Sequence, residues 1–374
     1  MLVKKISLRS FRNYTSAVLV PAEGITVLHG KNGAGKTNLL EGIHLCALGR
    51  SHRVSKDSDM IKSGEERARV TVSCVRTDGR HEVSVTLGST GQRAKQVLIN
   101  NKAPRRLGEM MGHVTCVIFS PEDLQLVREG PSFRRRFMDM LLSQRSNAYF
   151  YALQKYVVAL GQRNALLRAM RGIMDEAYAP QLAIWEEQLA REGAEILRGR
   201  YRLAVELERL AAENYAYLAA NERERLRLRY RGAVAAEENQ PERLLALLEK
   251  NRAEDVRRGV TGIGPHRDDL LLTLSQRDMR TFASQGQVRS AALAMKLSEI
   301  TLLTESHGET PVLLLDDVMS ELDMDRRRLL LSRISGIQTL VTCTDESDFP
   351  KERVDKRVLV CAGEDQAELN DCSV

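Results

Sequence analysis

The chain has 374 residues, 43% of them hydrophobic, and a formal net charge of +6 at pH 7. This length and apolar content predict two compact units, or one domain with a large insertion, around a sizeable core. No apolar run reaches the roughly eighteen residues of a membrane-spanning helix, and the first residues lack the apolar stretch of a secretory signal. These features argue against membrane-embedded and secreted classes, so we expect a soluble, cytoplasmic protein.

The cysteines and the basic residues indicate which kinds of site and partner the protein can have. Six cysteines are scattered without a CxxC pair, which predicts reduced thiols rather than a zinc site or a disulfide framework. Residues 61–110 hold ten Lys or Arg against five Asp or Glu, and residues 121–170 hold eight against four. This local excess of positive charge permits a polyanionic partner without establishing one.

The hydrophobic patterns, taken in chain order, predict an α/β core interrupted by a helical segment. Alternation of β-branched residues between positions 67 and 119 predicts an antiparallel sheet, and residues 131–258 predict a mostly helical unit too short for long coiled-coil arms. The chain is thereby divided into segments 1–130, 131–260 and 261–374. The predicted strands are 2–8, 18–21, 25–29, 113–119, 269–274, 312–315, 338–342 and 357–360, with helices at 36–48 and 284–305 and an acidic, solvated tail at 364–368.

The most specific motif is an octapeptide that follows strand 25–29 and opens helix 36–48. Backbone N–H groups can converge on phosphate oxygens where glycines leave room, and the N-terminus of the helix favours negative charge. Lys36 supplies a positive charge to the terminal phosphates, and the hydroxyl of Thr37 is placed to ligate Mg²⁺. The motif predicts a nucleoside triphosphate site made of Gly30, Lys31, Asn32, Gly33, Ala34, Gly35, Lys36 and Thr37.

Two acidic residues follow the apolar run 312–315. A parallel strand that ends in Asp316 would place a carboxylate beside the phosphate loop, where it could hold Mg²⁺. Asp317 is then placed to orient or deprotonate an attacking water. The alternative is that the pair only caps a helix after the strand, and the phosphate loop in the same chain favours the metal site.

The tetrapeptide Ser284-Gln285-Gly286-Gln287 opens helix 284–305. A hydroxyl, a glycine N–H and the positive end of the helix dipole suit a γ-phosphate. An ordinary capped helix would have the same residues, and these four positions alone do not decide between the two.

Seven stretches carry a resemblance to a known family: 10–14, the phosphate loop, 49–53, 119–124, 264–270, 283–287 and 314–323. They resemble the RecF family of bacterial recombination and repair ATPases, which is related to the ATP-binding-cassette heads of the structural maintenance of chromosomes (SMC) proteins. They follow the family's order across nearly the full length. The resemblance implies an α/β fold, an ABC-type P-loop ATPase head with a mixed core sheet and an antiparallel β subdomain, plus a mostly helical second lobe.

The resemblance also implies how two copies would share nucleotide. Ser284, Gly286 and Gln287 would form the signature motif that contacts the γ-phosphate bound by a second subunit, so that two ATP molecules lie between two heads. Asp323 would lie in a loop that crosses this interface.

Further roles follow from the same resemblance. Arg12 and Asn13 would lie near the nucleotide. RecF-like proteins bind DNA as ATP-dependent dimers and act with RecR and RecO to help RecA assemble at gaps, in replication, repair and the SOS response. The resemblance therefore predicts ATP and Mg²⁺ as cofactors, and DNA and RecR as partners.

Several positions depart from the general cassette pattern. Asp317 stands where a glutamate is usual, which predicts slow hydrolysis that acts as a switch, and Gln285 stands at the third signature position, as in RecF. Residues 342–344 replace the expected switch histidine. No glutamine follows Phe119 directly, although the glutamine that links the two lobes of a cassette ATPase is expected there.

Basic side chains offer candidate DNA contacts. Aromatic residues make up only 5% of the chain and do not interleave with the basic ones, so duplex backbone binding is favoured over base stacking. We expect the sheet around residues 67–119 and the run 134–136 to contribute to a DNA surface. The candidates are Lys102, Arg105, Arg106, Arg134, Arg135, Arg136, Arg145, Lys155, Arg163 and Arg168.

Three other classes share parts of this pattern. The ATP-driving subunit of a membrane transporter has the same loop and signature logic but no comparable helical unit. A chromosome-organising head would carry long coiled-coil arms, which this chain lacks. A small-molecule P-loop kinase would carry an acceptor lid, and nothing in the sequence resembles one.

Overall fold

The computed structural model describes residues 1–88, 95–170, 172–174, 176–219, 223–236, 240–345, 349, 354–362 and 367–372. In chain order these residues form β1 (Leu2–Phe11), β2 (Tyr14–Leu19), β3 (Ile25–His29), α1 (Lys36–Leu48), β4 (Arg67–Arg76), β5 (Gly79–Gly88), β6 (Lys95–Ile99), β7 (Cys116–Phe119), α2 (Gln125–Arg128), α3 (Pro131–Arg145), α4 (Asn147–Ala169), α5 (Ala179–Ala219), β8 (Leu226–Arg231), α6 (Gln240–Lys250), α7 (Arg252–Arg258), β9 (Asp269–Leu274), β10 (Arg277–Asp278), α8 (Met279–Phe282), α9 (Gln285–His307), β11 (Val312–Asp316), α10 (Met324–Arg333), β12 (Thr339–Cys343), β13 (Lys356–Ala362) and β14 (Ala367–Cys372).

The chain divides into two compact units. The first comprises Met1–Leu124, Tyr217–Ala220 and Ala292–Val374, and the second comprises Gln125–Ala216 and Asn221–Ala291. Our division at residues 130 and 260 follows the sequence and stays a prediction. Among the described residues, no helix is both long and apolar enough to cross a membrane.

The core of the first unit is a six-stranded sheet in the order β14-β13-β3-β12-β11-β7, parallel except for β14. Its central strands are rich in apolar residues because both faces are covered, and every residue of β11 and β12 is buried. The register pairs Asp316 with Thr342 and Thr342 with Leu28. The carboxyl ends of β3, β12 and β11 therefore meet at one edge, where the loop before α1 begins.

A five-stranded antiparallel sheet, in the order β2-β1-β4-β5-β6, completes this unit. It confirms an antiparallel sheet in the first part of the range predicted between residues 67 and 119, up to Ile99, and shows that the N-terminal hairpin belongs to it. One face packs against α1, where a Cβ built at Gly42 would lie 2.9 Å from Leu8 Cδ2 and 3.3 Å from Val70 Cγ1. A side chain at this position would push helix and sheet apart.

The second unit is mostly helical, as the sequence predicts, but it also contains a three-stranded sheet in the order β10-β9-β8. The prediction of a mostly helical unit over residues 131–258 did not include the strand Leu226–Arg231. This segment alternates buried and exposed residues and pairs antiparallel with β9. Its period of two was visible in the sequence, but strong helix formers on both sides masked it.

The end of the chain also differs from the expectation of a solvated tail. Residues 363–366 lie outside the described ones, but Ala367–Cys372 pairs antiparallel with β13. The pairing follows from geometry, because an edge strand with unpaired backbone groups is a ready partner for the segment that follows it.

Candidate phosphate-binding site

The loop between β3 and α1 has the backbone that its glycines permit. Gly30, Gly33 and Gly35 have φ values of 143°, 81° and 115°, a region that other residues rarely adopt. A Cβ at Gly30 would lie 2.2 Å from the carbonyl oxygen of Val360, and one at Gly35 would lie 2.7 Å from the side-chain amide of Asn13. At Gly33 no heavy atom lies within 4 Å of such a Cβ. The loop is thus closely supported at both ends and open at its middle.

Lys36 extends over this loop. Its Nζ donates to the carbonyl oxygens of Gly30 at 2.5 Å and Lys31 at 3.0 Å. Burial lowers the pKa of Lys36, and the negative charges of Asp317 and Asp316 oppose that shift. The ammonium group therefore sits among oxygen atoms at the mouth of the loop, as a phosphate-binding lysine requires.

Asp316 lies where the sequence placed it, beside the first turn of α1. The hydroxyl of Thr37 donates to Asp316 Oδ1 at 2.7 Å, and the hydroxyl of Thr342 approaches the same oxygen at 2.9 Å. Burial raises the pKa of the Asp316 carboxyl, an effect that these two hydroxyl groups oppose. A hydroxyl and a carboxylate oxygen in contact are hard oxygen ligands of the kind that Mg²⁺ prefers.

Asp317 occupies a strained backbone position. Its φ is 53°, in the left-handed region that Asp tolerates better than most residues. Its N–H donates to Thr342 Oγ1 at 2.9 Å, and its carbonyl oxygen accepts from Ser320 Oγ at 2.8 Å. The turn after β11 is thus fixed from β12, and Asp317 lies close enough to influence Lys36. No pattern in the sequence indicated this role of Thr342.

Asn13 and Arg12 differ in their relation to the loop. Asn13 Nδ2 donates to the carbonyl oxygen of Ala34 at 2.9 Å, which holds the loop directly. Arg12 instead forms two hydrogen bonds with Glu41, from Nε at 2.8 Å and from Nη2 at 2.6 Å. Glu41 is fully buried and also accepts from Ser51, so it anchors the turn after β1 to α1. Sequence reasoning missed this glutamate, whose signal was a charged residue within an apolar helix.

Thr344 stands in the segment where a switch histidine was expected. Its hydroxyl donates to Asn32 Oδ1 at 3.1 Å. The end of β12 therefore contacts the phosphate loop through a neutral hydroxyl, which cannot change charge near neutral pH as a histidine can.

Ser284 and Gln287 form a reciprocal cap at the start of α9. The N–H of Ser284 donates to Gln287 Oε1 at 2.8 Å, and the N–H of Gln287 donates to Ser284 Oγ at 3.3 Å. Gln287 Nε2 also donates to Glu224 at 2.8 Å, whereas Ser284 is exposed and Gly286 is half-buried. This cap was the alternative left open by the sequence, and it leaves the hydroxyl at the positive end of the helix accessible.

Asp323 caps α10 in the first unit. Its carboxylate accepts from the N–H of Arg326 at 2.9 Å and pairs with the guanidinium of the same residue. The side chain is 52% exposed, and the next residue, Met324, is 76% exposed. Both side chains are therefore open to solvent.

The stretch around His266 is a hydrogen-bonded hub within the second unit. His266 Nε2 donates to the carbonyl oxygen of Thr261 at 3.0 Å, which leaves Nδ1 to accept from the Tyr156 hydroxyl at 2.7 Å. Burial lowers the pKa of His266 to about 4 and raises that of Asp268 to about 6. Both ring nitrogens are engaged within the protein.

Two of the candidate DNA contacts are buried. Arg134 pairs with both carboxylate oxygens of Asp269, at 2.7 and 3.0 Å, and Arg163 is fully buried between Glu186 and Asp255. Their assignment to a DNA surface was therefore wrong. The acidic partners lie up to 135 residues away in sequence, so a local count of charge could not find them.

The sequence and the fold both match known proteins. The sequence model of the RecF/RecN/SMC N terminal domain matches residues 2–366. The chain is 41% identical over 356 residues to the DNA replication and repair protein RecF of Symbiobacterium thermophilum, covering 93% of each. It is 38% identical over 357 residues to the protein of the same name from Ruminiclostridium cellulolyticum, covering 93% of this chain and 94% of the relative.

Solved structures agree with these relatives. A structure of the recombination mediator protein RecF with ATPrS, in the RecFOR pathway, matches with a TM-score of 0.89 at 34% identity, covering 99% of this chain and 98% of that chain. An SMC head domain from Pyrococcus furiosus matches with a TM-score of 0.56 at 16% identity, covering 100% and 96%, which shows a common fold alone. The fold expected from the sequence, a cassette-type ATPase head, is thereby confirmed.

Proposed function

The chain belongs to the family of the RecF/RecN/SMC N terminal domain, and from this we propose that it is an ATP-dependent DNA replication and repair protein of the RecFOR pathway. The observation that carries the proposal is the contact of Thr37 with Asp316. It lies beside a loop whose three glycines have the positive φ values that a phosphate-binding loop requires. The near full-length match to RecF proteins does not favour a transporter subunit.

ATP fits the residues present. The middle of the loop is open at Gly33, and the Lys36 ammonium is held by backbone carbonyl oxygens that an anionic phosphate could replace. Thr37 and Asp316 would hold Mg²⁺, which neutralises phosphate charge when bound. Asp317 would orient the attacking water, and its short side chain supports slow hydrolysis.

Nucleotide would join two copies of the chain. Ser284, at the exposed positive end of α9, would contact the γ-phosphate held by the loop of the second copy, with Gly286 and Gln287 beside it. The exposed Asp323 would contribute to the same interface. ATP then stabilises the dimer, because it binds the dimer more tightly than the monomer and so shifts the equilibrium toward the dimer.

The dimer would bind DNA independently of sequence and act with RecR directly, and with RecO and RecA indirectly. Exposed cations favour contact with the phosphate backbone, which supplies most non-specific affinity. Hydrolysis of ATP would release the dimer and the DNA, and would be stimulated by DNA.

Light scattering of three variants tests the shared-site proposal. Lys36→Ala should lose both nucleotide binding and dimerisation, because the charge over the loop is gone. Ser284→Arg should keep nucleotide binding and lose dimerisation, because an arginine blocks the exposed helix end. Ala236→Arg, at an exposed position of the same unit, is the matched control and should dimerise normally. Normal ATP-dependent dimerisation of Ser284→Arg would contradict the proposal.

A further inference from the structure

The face of the five-stranded sheet that points away from α1 carries a cluster of basic residues, and Val18 of β2 is also exposed on it. Along β1 and β4, buried and outward residues alternate, so that Leu8 and Val70 lie in the core while Arg9 and Arg69 point outward. The outward cations include Lys5, Arg9, Arg67, Arg69 and Arg80, all of them exposed.

Hydroxyl groups fill the space between these cations. Thr71 and Ser84 lie next to each other across β4 and β5, with their oxygens 2.7 Å apart. Arg69 Nη2 donates to Ser84 Oγ at 3.3 Å. Glu82, an acidic residue on this face, accepts from the hydroxyl of Ser73 at 3.0 Å. The surface thus combines excess positive charge with the half-buried hydroxyl groups of Thr71 and Ser73. Ser84, by contrast, is buried and only supports Arg69.

Two arginines on this face oppose each other directly. The register of β1 and β4 pairs Arg9 with Arg69, and like charges in such a pair destabilise a sheet. Within the residues that the structure describes, neither guanidinium forms an ion pair. The pairing of Arg9 with Arg69 therefore costs stability in the free protein. It becomes favourable when a polyanion lies across both side chains, because the negative charge then neutralises their repulsion.

We propose that this outward face is the surface on which the protein contacts the sugar-phosphate backbone of duplex DNA. The proposal rests on the proposed function and assigns its DNA contact to particular residues, chiefly Arg9 and Arg69. Cations and hydroxyl groups are the usual partners of backbone phosphates, and they carry no sequence preference. The strands of this face present no outward aromatic side chain, so bases are not stacked on it.

Salt-dependent DNA binding tests the surface. In the presence of ATP and Mg²⁺, the full-length double variant Arg9→Ala/Arg69→Ala should bind duplex DNA more weakly. The slope of log K against log salt should fall by about 1.8, because each lost phosphate contact removes about 0.9. The double variant Arg9→Lys/Arg69→Lys keeps both charges and should retain the slope.

A matched control removes two charges elsewhere. Arg198 and Arg209 are exposed on α5 and pair with nearby glutamates, so Arg198→Ala/Arg209→Ala changes net charge equally and should leave the slope unchanged. Unchanged ATP affinity, with a melting temperature at or above that of the wild type, shows that the alanine variants are folded. If Arg9→Gln/Arg69→Gln and the alanine variant both keep the wild-type slope, this face is not the DNA-binding surface, while the proposed function stands.

Two further outcomes separate the possible errors. Loss of binding to anionic phospholipid vesicles without loss of DNA affinity would assign this face to a membrane surface and overturn the inference. If the wild-type protein with ATP bound no duplex DNA at all, the proposed function itself would fail, and the inference with it.

Discussion

Replacing Thr342 by valine removes a hydroxyl that fixes both acidic residues of the candidate site. Thr342 Oγ1 lies 2.9 Å from Asp316 Oδ1 and accepts the N–H of Asp317, also at 2.9 Å. The residue is 1% exposed, so water cannot replace the lost partner. Removing the hydroxyl leaves the buried carboxylate of Asp316 without one of its two hydroxyl donors, which costs about 1–3 kcal/mol, and valine has nearly the same shape as threonine, so no cavity adds to this cost.

Two assays measure the effect. In urea unfolding, Thr342→Val should lower the free energy of unfolding by about 1–3 kcal/mol. In titration with a fluorescent ATP analogue, the affinity gained on adding Mg²⁺ should fall, because the carboxylate of Asp316 is no longer oriented toward Thr37. Thr342→Ser keeps the hydroxyl and should restore the Mg²⁺-dependent part. Wild-type stability together with wild-type Mg²⁺ dependence in Thr342→Val would refute the reasoning.

Three other changes test separate parts of the structure. Gly35→Ala should abolish nucleotide binding and lower the melting temperature, because its Cβ would meet the facing asparagine at 2.7 Å and its φ is 115°; binding at wild-type affinity would contradict the loop geometry. Arg134→Met should lower the free energy of unfolding by about 3–5 kcal/mol by leaving Asp269 buried without its partner, and adding Asp269→Leu should recover much of the loss; an additive loss in the double variant would count against a buried pair. The pKa of His266 is lowered from 6.5 to about 4, so the folded state disfavours protonation and loses up to about 3 kcal/mol as pH falls from 6.5 to 4. The raised pKa of Asp268 acts in the opposite direction between pH 3.8 and about 6, so His266→Gln should lose less stability than the wild type as pH falls from 6.5 to 4, and a pH profile identical to that of the wild type would refute the assignment.

The candidate site could be predicted from the sequence where its chemistry is local. The strand Ile25–His29 and the helix Lys36–Leu48 have the expected bounds, because the glycines between them define both ends. Asp316 could be placed beside Thr37 because parallel strands bring their carboxyl ends to one edge. Backbone geometry alone carries that inference.

Features set by distant partners could not be predicted. Arg134 looks like a surface charge until Asp269, 135 residues later, is known to pair with it. Glu41 binds Arg12, and Thr342 binds the acidic turn, only because separate elements meet in the fold. The strand Leu226–Arg231 was missed because its partner, β9, lies beyond two helices. In each case tertiary contact overrides the local pattern.

A mixing experiment tests most directly whether nucleotide is shared between two copies. Lys36→Ala lacks a working loop but keeps Ser284, whereas Ser284→Arg lacks a working helix end but keeps its loop. Each variant alone should fail to dimerise with ATP and Mg²⁺. Their equimolar mixture should form dimers with one intact shared site, seen by light scattering as a mass near twice that of the chain. A mixture that stays monomeric while wild-type protein dimerises, or either variant dimerising alone, would contradict the account.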